Sequence, residues 1–196
     1  MTGLTAAIER IMNWLQQYQP EFAASFLPGL TREQIQEQTK DLPGLIPEEI
    51  YELYQYRNGT LEEMKSTVYP VFHFLPLDEA VQIFPAFFDP HETDYSYLYE
   101  NKCLFPFLRD NCSHCAVLLD EHKQLSSPVV DIADDGDISL MYQSLTSMML
   151  TIADYLETGV CYLDDEGFLV TDEKDKQDEK MIEIFLKYNP GIRFIW

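Results

Sequence analysis

At 196 residues, 46% of them hydrophobic and 13% aromatic, the chain can bury one sizeable core and is too apolar for a disordered segment. Its 34 Asp and Glu against 13 Lys and Arg leave a formal net charge of −21 at pH 7. Nucleic-acid phosphates and anionic lipid repel such a chain, which excludes both as partners and leaves a basic protein as the complementary surface.

Leu4, Ile8, Ile11, Met12 and Leu15 open the chain as an apolar stripe at helical spacing, broken at Pro20. Glu9 and Arg10 interrupt it, so it lacks the basic start and apolar block of a secretion signal. No apolar run reaches the length of a membrane span; residues 140–156 are interrupted by Gln143, Ser144, Thr146 and Ser147. The four cysteines are too few for a secreted disulfide scaffold. A cytoplasmic protein is expected.

Residues 21–27 form a short segment that stops at Pro28-Gly29. Thr31 and Gln34 then have the spacing of a capping box for a helix to Lys40. Pro47 suits a first helical position, and Glu48 and Glu49 suit the positive end of the helix dipole. Ile50, Leu53 and Tyr54 share one face of that helix, and Asn58-Gly59 is expected to close it with left-handed residues.

The middle of the chain turns to strands. Residues 68–75 are aromatic and β-branched, with Pro70 marking an early or edge position. A short helix over 77–84 precedes residues 85–101, read as an ordered loop or bent strand. Residues 103–109 and 115–120 are apolar runs of strand length; 128–133 and 138–142 form a second pair around Asp135-Gly136. Ser144 is the expected N-cap of a long helix buried through Leu145, Met148, Met149, Ile152 and Leu156 and ended by Gly159. A hairpin over 160–171, the mixed-charge run 172–180 and a last helix through Ile182, Phe185 and Leu186 complete the chain.

The order Ile46-Pro47-Glu48-Glu49, aromatic-rich helix, Asn58-Gly59 resembles the signature of the SUKH superfamily, the family of the fungal SMI/KNR cell-wall synthesis regulator. Further parts are similar in the same order: Phe74-Leu75-Pro76-Leu77-Asp78-Glu79, then Cys103-Leu104-Phe105-Pro106-Phe107-Leu108, then Pro128-Val129-Val130-Asp131-Ile132 and the Ser144-capped helix. Where relatives often carry Asp then Gly-Gly between the paired strands, this chain has Asp110-Asn111-Cys112-Ser113-His114-Cys115.

The resemblance implies an α+β fold, a mostly antiparallel sheet with helices packed on one side. It implies a single domain with its core at about 28–159, a helical extension over 1–27 and a hairpin-helix addition over 160–196. Pro47, Glu48, Asn58, Gly59, Pro106 and Ser144 are its signature residues. It also implies a non-catalytic protein-binding domain. Bacterial relatives include immunity proteins that neutralise nuclease or nucleic-acid-deaminase toxins, and fungal relatives act in cell-wall signalling.

The residues themselves point away from catalysis. Cys112 and Cys115, with Cys103 and His114 or His122, could offer zinc four soft ligands, but structural zinc usually takes two paired knuckles and here there is one. A redox pair would need a helix start after a strand. Read as a calcium loop from Asp131, the chain places Ala133 at the third position and Tyr142 at the twelfth, where oxygen ligands belong. His73, His91, His114 and His122 are scattered, and neither a nucleophile elbow nor a Gly-rich phosphate loop occurs. No enzyme activity, cofactor or metal is expected.

Residues 84–99 interleave aromatics with acids, a composition suited to docking a basic protein or to covering a sheet face. Asp94, Tyr95, Tyr97, Asp110, Asp120, Asp134 and Asp135 are the expected contacts with a basic partner, possible in kind as a nuclease-type toxin. The alternatives are a regulatory scaffold in cell-wall or stress signalling and a small cysteine-centred metal or redox protein. Neither composition nor motif specifies an oligomeric state.

Overall fold

The computed structural model describes residues 2–61, 73–87, 103–109, 113–165, 169–171 and 175–194, with 86, 87 and 175–178 described by backbone alone. Its first third is helical. α1 (Gly3–Tyr18) starts at Thr2, whose hydroxyl accepts from Thr5 N–H, and buries Leu4, Ile8, Ile11, Met12 and Leu15. Pro20 opens α2 (Pro20–Ala24) at a position where its missing N–H costs nothing. β1 (Phe26–Pro28) follows, then α3 (Arg32–Thr39) with the expected Thr31–Gln34 capping box.

α4 (Glu48–Tyr56) departs from expectation at both ends. Pro47 is extended, with ψ 157°, and is the N-cap rather than the first helical residue. Asn58-Gly59 does not close the helix: Arg57 is already extended, and both residues lie in β2 (Arg57–Thr60), antiparallel to β1. Gly59 has positive φ, 82°. A Cβ there would stand 2.7 Å from Pro76 Cα, so glycine is required for the close approach of two backbones. Strand pairing and this approach outweigh the local tendency to stop a helix.

The sheet is an antiparallel meander in the order β3-β4-β5-β6-β7. Its strands are β3 (His73–Phe74), β4 (Leu104–Arg109), β5 (Ser113–Leu118), β6 (Val129–Ala133) and β7 (Ile138–Tyr142). Between β3 and β4, α5 (Leu77–Ile83) runs into a 3-10 turn (Phe84–Phe87). The β4–β5 register shifts between Pro106 and Leu108, where proline cannot donate to the ladder. β5 begins at Ser113, so His114 and Cys115 lie within a strand rather than between two. The β6–β7 hairpin turns through Asp134-Asp135-Gly136, with Gly136 at φ 95°. Gly136 N–H donates to Ala133 C=O and Ala133 N–H to Asp137 C=O, both at 2.9 Å: a three-residue loop with a glycine bulge.

α6 (Leu145–Glu157), the hairpin β8 (Cys161–Leu163) and β9 (Leu169–Thr171), and α7 (Asp175–Tyr188) complete the described chain. One sheet face carries Phe105, Phe107, Cys115, Val117 and Tyr142 into the main core with α1, α4, α5, α6 and α7. α7 is joined there by Tyr155 Oη, which donates to Met181 C=O at 3.1 Å, and by Phe185 against Tyr142. The opposite face carries a separate apolar cluster: Leu104, Ala116, Leu118, Val130, Ile132 and Ile138. This is the α+β architecture with a helical layer on one side of an antiparallel sheet.

Candidate partner-binding surface

The acids of the Pro47-Glu48-Glu49 segment are spent inside the molecule. Glu49 is 8% exposed, and its carboxylate accepts from Leu145 N–H at 3.2 Å, Thr146 N–H at 3.0 Å and the Thr146 hydroxyl. Ser144 and Ser147 cap each other reciprocally, and Met148 N–H donates to Ser144 C=O. All four leading N–H groups of α6 are thereby satisfied, with a carboxylate at the positive end of its dipole.

Glu48 performs a second closure. It accepts from Arg32, which also lies over the Tyr51 ring at 4.2 Å, and it pairs with Lys123 at 3.0 Å. The Arg32 hydrogen bond foremost, with Lys123 beside it, holds the Glu48 carboxyl down at about 2 against the counter-effect of burial. Glu48 and Glu49 N–H groups donate to the carbonyls of Gln124 and Leu125. The start of α4 is therefore sealed by the 120–128 segment and offers no anion site.

Asp120 shapes that segment. Its carboxylate accepts from His122 N–H and from Gln124 Nε2, each at 2.9 Å, and its backbone bridges Leu45. Asn58 Oδ1 accepts from Leu77 N–H at 3.0 Å and so starts α5. Pro106 is buried at the irregularity in β4.

The expected contact residues do not converge on one spot. Ser113 pairs with Ala133 and Val117 with Val129, so β5 and β6 run in opposite directions. Asp120, past the end of β5, thus stands at one end of the sheet, and Asp134 and Asp135 stand at the other. Asp134, Asp135 and Asp137 are exposed, with no ion pair among the described residues. Asp94, Tyr95, Tyr97 and Asp110 lie outside the described residues, as does most of the aromatic stretch; Phe84, its first member, packs on Phe105 in the core.

Much of the described positive charge is taken up by internal pairing. Among the described residues Arg10, Arg32, Lys40, Arg109, Lys123 and Lys187 each meet a carboxylate. Asp154 gathers Arg10 at 2.6 Å, Lys187 at 2.9 Å and the Tyr188 hydroxyl at 2.8 Å, tying α1, α6 and α7 together. Burial pushes its carboxyl up, but those hydrogen bonds outweigh it and hold the group below its ordinary value. The acidic excess is left to the surface.

Cys115 is fully buried in the main core, Cys103 is half-buried, and burial pushes the Cys161 thiol up to about 12. Cys112 lies outside the described residues. Among the described residues no group of three or more His, Cys, Asp or Glu side chains could hold a metal ion.

The profile of the SMI1 / KNR4 family (SUKH-1) matches residues 29–151, more than half of the chain. The chain belongs to this family. In this SUKH-1 protein the matched span takes in α3, α4, the whole meander and the first half of α6. α1 and α7 lie outside it yet contribute to the same core. No curated protein matches the chain. Family membership is consistent with an immunity-type or regulatory domain.

Two features had no signal in the sequence. Glu49 and its helix partner are 96 residues apart, beyond any local pattern. Leu140 reads as one more apolar strand residue, yet it is 41% exposed because β7 lies at the edge of the meander.

Proposed function

We propose that this SUKH-1 protein is a non-catalytic, immunity-type inhibitor that binds a basic effector protein and occludes its working surface. The observation that carries this reading is the distribution of charge. The formal charge is −21, and the described cations named above are neutralised within the fold, while Asp134, Asp135 and Asp137 project from the β6–β7 turn. Opposed potentials of this kind accelerate encounter and select the partner. A nuclease-type toxin is the fitting target class, because a protein that grips phosphates presents the basic surface this field complements. Asp94, Tyr95, Tyr97 and Asp110 join the turn in the proposed contact set, and Asp120 acts by shaping the segment beside α4.

On this reading the protein works in the cytoplasm, without cofactor, by steric blockade. Co-purification of the tagged protein from its host, washed at low and at high salt, tests it. The expected result is one stoichiometric basic protein that high salt releases. A stoichiometric partner that is acidic, or that salt does not release, contradicts the electrostatic mechanism and favours the regulatory-scaffold alternative.

A further inference from the structure

The meander has two edges, and they differ. β3 is two residues long, and β2 lies over it: Thr60 Oγ1 meets His73 Nδ1 at 3.0 Å and Phe74 C=O at 3.3 Å. β7 runs for five residues and, among the described residues, pairs with β6 alone. Leu140 in its middle is 41% exposed.

The ladder fixes which backbone groups face outward. Ala133 N–H donates to Asp137 C=O, so Asp131 and Ser139 form the next exchanging pair. The N–H and C=O groups of Ile138 and Leu140 then point away from β6. Their side chains share a face, Ile138 buried and Leu140 open to solvent. Asp134, Asp135 and Asp137 crowd the turn at the start of this edge.

We propose that β7 is the docking edge of the protein, and that an extended basic segment of the partner adds to it as a further strand. Backbone hydrogen bonds to Ile138 and Leu140 supply the pairing, an apolar partner side chain covers Leu140, and Lys or Arg side chains meet the three aspartates. A second copy of this chain is the wrong occupant, since it would bring another charge of −21 against the first. The inference rests on the reading of the protein as a binder of a basic effector, and adds the place and the mode of binding.

The probe is a capped peptide alternating valine with lysine, followed by amide exchange in the isotope-labelled full chain. The Ile138 and Leu140 amides are expected to exchange at least about tenfold more slowly with peptide bound. The same peptide N-methylated at alternate amides is expected to bind at least about tenfold more weakly, and a valine–glutamate twin should not bind. Protection elsewhere, no protection, or protection without peptide that grows with protein concentration overturns the proposal. If the peptide protects both amides while the host yields no basic partner, the edge stands and the functional reading falls. A basic host partner that binds with both amides still exchanging freely preserves the function and removes the edge.

Discussion

Glu49 and Gly59 are single residues on which distant parts of the fold depend. Glu49→Ala leaves the Leu145 and Thr146 N–H groups without their acceptor, and is expected to cost about 2–3 kcal/mol in urea denaturation. Glu49→Gln keeps one acceptor oxygen and should lose roughly half as much. Gly59→Ala combines positive φ with collision against the Pro76 backbone, and should cost about 2–3 kcal/mol or more. The cysteines make a separate check. Among the described cysteines, native alkylation should reach half-buried Cys103 first, with Cys115 and Cys161 labelled only as the protein unfolds. Equal rates for the three thiols would refute their placement. At this scale the sequence was legible where a residue and its partner lie close together. Thr31 with Gln34 and Ser144 with its own helix could be read; Glu49 could not, since its partner is 96 residues away.

Among the elements, α4 is the joint of the molecule: Glu48 clips it to α3 and to the 120–128 segment, and Glu49 clips it to α6. The Glu48 carboxyl is held at about 2, below its usual 4.5, so its contribution to stability is complete above pH 4.5 and is lost as pH falls through about 2. Asp154 and Glu157, also held low, act with the same sign where α1 meets α6. Urea unfolding is therefore expected to show stability declining below pH 4.5, and Arg32→Gln should flatten the decline over that window. An identical pH profile in Arg32→Gln would show that the Arg32–Glu48 pair contributes nothing. The strands of the meander were legible from apolar runs bounded by turn residues, Asp135-Gly136 above all. β2 was not, because its four residues Arg57–Thr60 carry no strand pattern and owe their conformation to β1. The start of β5 was legible only from Cys115, two residues late, because Ser113-His114 carry no apolar signal.

For the molecule as a whole, the fold was readable because motifs in a fixed order survive as a family resemblance, and the SUKH-1 match over 29–151 spans all of them. The contact surface was less readable. In a chain with 34 acids, any carboxylate is a candidate until geometry separates Asp120, bonded into its own loop, from Asp134 and Asp135, projecting at the opposite end of the sheet. In the proposed mechanism, surplus charge at this turn does the steering and the fold does the blocking. The most direct test is the equilibrium affinity of the co-purified partner for the unmodified protein and for Asp134→Lys with Asp135→Lys, across a range of salt. Binding is expected to be weaker by on the order of tenfold at low salt, with the gap narrowing as salt rises and circular dichroism unchanged. Equal affinities at every salt concentration, in a variant that folds normally, would contradict it.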